Sequence, residues 1–128
     1  MKKSHRQLRL TIALAVIIAG TIGCASSARS PLETAKLAYA DAAFGYEAAM
    51  QSLTELRAAH RVTDAQWAEI DRVQHVVQTT APQLRASLDL WEAIGTEPSS
   101  YQATQHSFTA AVAELKVIAA GVQRGGNS

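Results

Sequence analysis

Val62-Thr63-Asp64-Ala65-Gln66-Trp67 is the stretch that decides the fold. It has the form of a helix start. Threonine at a cap accepts a hydrogen bond from the backbone three residues on, and glutamine at that third position reaches back to the cap's own N–H. Val62 before the cap and Trp67 in the first turn are placed to close over it as an apolar staple. The residues on both sides also read as helix. A start signal here therefore means that one helix ends before Thr63 and another begins after it. The chain turns, rather than running on as one long coiled coil.

Upstream, Ser30-Pro31-Leu32-Glu33 opens the first helix. Serine suits the cap, proline the first helical position, and Glu33 completes a capping box. Leu32, Tyr39, Tyr46 and Leu53 then recur every seven residues, with Ala35, Ala42, Ala49 and Leu56 three residues after each. That spacing is an apolar stripe along one helix face. Glu33, Asp41, Glu47 and Glu55 fall on the opposite face, and Leu37 and Phe44, off the stripe, are expected to widen it. Arg57, His60 and Arg61 sit at the end, where cations complement the helix dipole. Ala38, Ala42, Gly45 and Ala49 are small enough to let a neighbouring backbone come close.

Downstream, the stripe reads Trp67, Ile70, Val73, Val77, Leu84, Leu88, Trp91. Pro82 interrupts it. A mid-helix proline removes one backbone bond and collides with the preceding turn. A kink over residues 78–82, or a break into two shorter helices, is expected. Gly95 suits a left-handed helix end. Thr96-Glu97-Pro98-Ser99-Ser100 reads as a turn and a third start. Tyr101, Phe108, Leu115 and Val122 carry the last heptad stripe, with Ala111, Val112, Ile118 and Ala119 between them. Gly121 and Gly125-Gly126 bring it to a frayed end.

Composition agrees with this reading. The 128 residues are 48% hydrophobic but only 5% aromatic. Ala, Leu, Val and Ile carry the apolar share, and alanine loses no side-chain entropy on entering a helix. No strand alternation appears. The expected fold is all-α: an antiparallel three-helix bundle over residues 30–123 with a Pro-kinked second helix, followed by a disordered tail at 124–128. The helices should run to about 30, 30 and 24 residues, the first two about 45 Å long at 1.5 Å per residue. Short connections favour antiparallel neighbours.

The first 23 residues are of another kind. Lys2, Lys3, Arg6 and Arg9 make a basic start, and residues 10–23 (LTIALAVIIAGTIG) contain no charge. Small residues follow at Cys24, Ala25, Ser26, Ser27 and Ala28. A basic start, a short apolar run and a small-residue exit make a secretion signal. Thr21-Ile22-Gly23-Cys24 closely resembles the lipobox of bacterial lipoproteins, with Thr21 where leucine is usual. The resemblance covers the first 24 residues. It implies a diacylglyceryl group on the Cys24 thiol, cleavage between Gly23 and Cys24, and acylation of the new amino group. Residues 1–23 would then be the signal peptide and 24–29 a lipid-anchored tether.

In lipoproteins of this type, an acidic residue after the cysteine favours the inner membrane. Ala25 leans towards the outer membrane's inner leaflet, so the expected location is the cell membrane or outer membrane, facing the periplasm. Each buried methylene contributes about 0.8 kcal/mol, and two or three chains make an anchor nearly permanent. Two alternatives stay open. The uncharged run of residues 10–28 is barely long enough to span a bilayer uncleaved. Ordinary cleavage after Ala25 or Ala28 releases a free domain.

Charge and motifs bound the function. Of 12 Lys and Arg, four lie in the first nine positions. The part from Cys24 onward keeps eight against eleven Asp and Glu, a net of −3. A nucleic-acid partner is not expected, because it needs a basic patch on the folded part. One cysteine allows no internal disulfide. His60, His75 and His106 fall on three expected helices without metal-ligand spacing, and Asp71 and His75, four apart, read as a solvated helix pair. Ser26, Ser27, Ser99 and Ser100 lack the context of a nucleophile.

Trp67 and Trp91, at opposite ends of the second helix, read as core. Tyr39 and Tyr46 read as core-edge residues. Arg85 with Asp89, and Glu69 with Arg72, read as surface pairs. No catalytic residue, cofactor or metal is expected, so an enzyme is not expected. The leading expectation is a non-enzymatic interaction module with an envelope protein partner. Two others are a phage- or prophage-encoded lipoprotein acting in superinfection exclusion or lysis, from size and layout, and a small-ligand carrier. The carrier would hold its ligand in a pocket between the helices, where a kink at Pro82 opens a gap, and a cavity of about 300 Å³ or more lined by Trp91, Leu84 and Phe108 would favour it.

Overall fold

The computed structural model describes residues 28–125. Gly23 and Cys24, the signal peptide and most of the tether lie outside the described residues, as do residues 126–128. Residues 28–30 are exposed and non-helical. Three helices follow: α1 (Pro31–Ala58), α2 (Asp64–Ile94) and α3 (Tyr101–Gly125). No strand occurs among the described residues. The lengths are 28, 31 and 25 residues. α3 continues through Arg124 and Gly125, past the limit of 123 set by its glycines.

The boundaries follow local chemistry. Pro31 takes the first position of α1, where its missing N–H costs nothing. Thr63 caps α2 with both halves of the capping box formed: its hydroxyl accepts from Gln66 N–H at 3.1 Å, and its own N–H donates to Gln66 Oε1 at 2.9 Å. Gly95 ends α2 at φ 77°, a left-handed position natural to glycine, and donates to Trp91 O at 2.8 Å.

The end of α1 is less expected. Arg61 N–H donates to Leu56 O at 2.9 Å and His60 N–H to Arg57 O at 3.0 Å. This paired closure turns on a left-handed residue, and that residue is His60 at φ 57°. The sequence placed His60 on the first helix. It stands beyond the helix, in the turn, where glycine would carry no Cβ clash.

α2 runs as one helix through Pro82, so the proline does not divide it in two. The hydroxyls of Thr79 and Thr80 donate to the carbonyls of His75 and Val76, four residues back, in the turn before it. Such back-bonding is common where helices bend.

The heptad stripes converge on one core. Leu53, Ile70, Val73 and Leu115 are fully covered, and Phe108 and Leu84 nearly so. Fully burying such side chains contributes roughly 1.5–3 kcal/mol each, which is why the stripes rather than propensity hold the helices. α3 packs extensively on both partners, while α1 and α2 touch each other least. Lys36, in the second turn of α1, pairs with Glu92 in the last turn of α2 at 2.7 Å. Arg57, at the end of α1, lies 4.1 Å over the ring of Trp67, in the first turn of α2. Trp91 meets Tyr101 edge-on at 5.1 Å, and Ser87 Oγ lies 3.3 Å from Ser100 Oγ. Tyr39 of α1 stacks obliquely on Phe108 of α3 at 5.5 Å, and Gln123 of α3 donates to Ser52 of α1.

The small residues of α1 act differently from one another. Ala49 is buried. Gly45 admits a side chain rather than a backbone: a Cβ there would stand 2.7 Å from the Cε and Nζ of Lys116, whose stem crosses α1 at that point.

His60→Gly should stabilise the bundle by roughly 0.5–1 kcal/mol, because glycine adopts the left-handed conformation without a Cβ clash. Thermal melts will show it as a rise of a few degrees. A fall of similar size would mean that the imidazole itself holds the turn.

Candidate functional site

The residues singled out for chemistry do not converge. His60, His75 and His106 are all exposed, one in the α1–α2 turn, one on α2 and one on α3. Asp71 and His75 are likewise exposed on α2. Among the described residues, no three His, Cys, Asp or Glu side chains are grouped to hold a metal ion. Ser99 and Ser100 belong to the turn before α3, where Ser100 O accepts from Thr104 N–H and from its hydroxyl.

The tryptophans pack. Trp91 is buried, and Trp67 is half-buried against the core beneath Arg57. Trp91, Leu84 and Phe108 are 8%, 1% and 1% exposed and lie in the core. Tyr39 and Tyr46 are half-buried at its edge. The Tyr46 hydroxyl meets Gln74, and burial, the larger effect, raises its pKa. Burial also raises the Tyr101 phenol, with Glu97 adding to it.

Glu69 and Arg72 form the surface pair expected, and Arg72 also reaches Glu114 on α3. The hydrogen bond from Arg72 lowers the Glu69 pKa, and the two carboxylates raise that of Arg72. All three side chains are about half exposed, so the bridge orients α2 on α3 more than it stabilises them. The Glu114 arm was invisible in the sequence, since the two residues are 42 apart.

Open grooves also run along the described helices, two of which are as follows. One, of about 390 Å³, runs along Tyr39, Ala81, Pro82, Arg85, Ala86 and Asp89, where α1 and α2 have little contact. The other, of about 290 Å³, lies between α1 and α3, with Ala38 and Ala42 facing Gln105, Thr109 and Lys116. The polar side chains along the first are Tyr39, Arg85 and Asp89, and along the second Asp41, Gln105, Thr109 and Lys116.

The surface instead offers apolar side chains. Leu37, Phe44, Leu90, Ile94 and Val117 are 48%, 70%, 48%, 53% and 69% exposed. Leu37 and Phe44 do not widen the stripe of α1. At 100° per residue Leu37 lies roughly 160° from Leu53, on the far side of the helix. The same arithmetic applied to Leu90 and Val117 would have found them. No helix among the described residues is long and apolar enough to cross a membrane. Comparison of the chain with protein-family models, curated proteins and solved structures gave no match.

Raised phenol pKa values mean that the folded state prefers the neutral tyrosines. Their contribution is present below the unfolded value of about 10 and is lost as pH rises through the folded value. Melting temperature should therefore fall between pH 9 and 11. Tyr101→Phe should blunt the fall relative to the unmodified chain. An unchanged profile would remove Tyr101 as a cause.

Proposed function

We propose that this protein is a lipid-anchored envelope protein whose helical part serves as a non-enzymatic interaction module facing the periplasm. The observation that carries this is the position of Cys24. It is the chain's single cysteine, and it stands at the end of an uncharged apolar run behind four basic residues. Acylation of its thiol, with cleavage after Gly23, leaves residues 24–29 as a short lead into α1 at Pro31. The anchor lies in the cell membrane or the outer membrane, with the envelope protein partner reached from the bundle surface. The strongly exposed Phe44 and Val117 are the side chains most available to such a partner.

The bundle in this reading is antiparallel between successive helices, with α2 kinked near Pro82. Three cross-helix pairs support the arrangement. Lys36 with Glu92 and Arg57 with Trp67 join opposite ends of α1 and α2, and Trp91 with Tyr101 joins the end of α2 to the start of α3. The missing N–H of Pro82 and the threonine back-bonds before it support the kink.

Two experiments test these statements. Metabolic labelling with an alkyne fatty acid should mark the wild type and not Cys24→Ala, which should accumulate as precursor or leave the membrane. Continued labelling of the variant would rule out the anchor site. Pro82→Ala should restore a backbone bond and stabilise the domain by about 1 kcal/mol or more, well short of the ~3 kcal/mol of an ideal helix interior. A sharp loss of stability would count against the kink.

A further inference from the structure

Exposed apolar side chains gather at one end of the bundle. Three of the five large ones among the described residues lie there: Leu37, six residues into α1, and Leu90 and Ile94 in the last two turns of α2. The Lys36–Glu92 pair fixes these segments beside each other. This is also the end at which the chain enters the bundle, at Pro31.

We infer that Leu90 and Ile94 dock this end of the bundle on the surface of the bilayer that holds the anchor. The inference rests on the proposed acylation of Cys24. Six residues, 25–30, separate the acylated cysteine from α1, and the seven residue steps from Cys24 to Pro31 reach at most about 25 Å. The first turns of α1 are therefore held within that distance of the headgroups. The last turn of α2 comes with them. Leu90 and Ile94, four apart, share one face of α2 and present a compact apolar contact. Interfacial residues of this kind sit about 5–10 Å deep, at the boundary of headgroup and acyl chain.

Charge does not drive the contact. Along these helix segments and the turn after α2, Glu33, Asp89, Glu92 and Glu97 stand against Lys36 and Arg85, and Glu92 is already paired with Lys36. Docking should therefore persist at high salt and on zwitterionic lipid, unlike adsorption through a basic patch. The far end of α1 at Ala58 lies about 42 Å along the helix and stays in water.

The full-length protein, expressed and processed in cells, allows the test. Acylation blocks Cys24, so a cysteine introduced elsewhere takes a spin label alone. Ile94→Cys and Ala58→Cys are both exposed sites, and circular dichroism checks their folding. Reconstituted in vesicles of three parts phosphatidylethanolamine to one part phosphatidylglycerol, the label at 94 should gain accessibility to oxygen and lose it to a water-soluble nickel chelate. The label at 58 should remain aqueous, and adding Leu90→Ser should return the label at 94 to water. If 94 is as aqueous as 58 while Cys24 resists labelling, docking is overturned and the anchor stands. If Cys24 itself takes the label, the anchor reading fails, and docking with it.

Discussion

The structure depends on how the chain turns between α1 and α2. Between Leu56 and Gln66, His60 adopts a left-handed conformation, Arg61 closes on Leu56, and Thr63 and Gln66 exchange hydrogen bonds. These contacts are individually modest; a cap contributes about 1 kcal/mol. Their importance is geometric. With two Phe, three Tyr and two Trp in the chain, each helix has a single apolar stripe to bury. Unturned, the stripes of α1 and α2 would lie end to end in water. Turned, Leu53 and Ile70 meet Leu115 in one core.

The packing is uneven, and that unevenness shapes the surface. α3 has the most to bury, from Tyr101 to Val122, and serves both other helices. α1 offers alanines where α2 offers Ile, Val and Leu, so contact between α1 and α2 is concentrated in charge and ring contacts near their ends. Between those ends a groove opens beside Pro82. A core of this kind tolerates polar groups only where they find partners. Ser87, the buried polar residue, has Ser100.

Much of this was legible in the sequence. The Thr63 box, the left-handed Gly95 and the heptads of α2 and α3 could be read because each depends on residues a few positions apart. What escaped depends on long-range or competing effects. Arg72 reaches Glu114 only because two helices pack. Gly45 looked like a backbone contact and instead receives Lys116. His60 takes a glycine's position, against propensity, because the two carbonyl bonds of the turn outweigh its strain. Leu37 and Phe44 were misassigned by hydrophobicity when their angle on the helix already turned them outward. The chemistry of Cys24 is a matter of sequence alone, since it lies outside the described residues.

Two parts of the molecule are physically independent: a domain held by its stripes, and Cys24, whose proposed acylation would decide where that domain works. The link between them is most directly tested by intact-mass spectrometry of the native protein extracted from membranes. The account predicts a chain beginning at Cys24 and heavier than its peptide mass by a diacylglyceryl group and an amide-linked acyl chain. A chain that still carries residues 1–23, or a Cys24 sulfur without lipid, would contradict it.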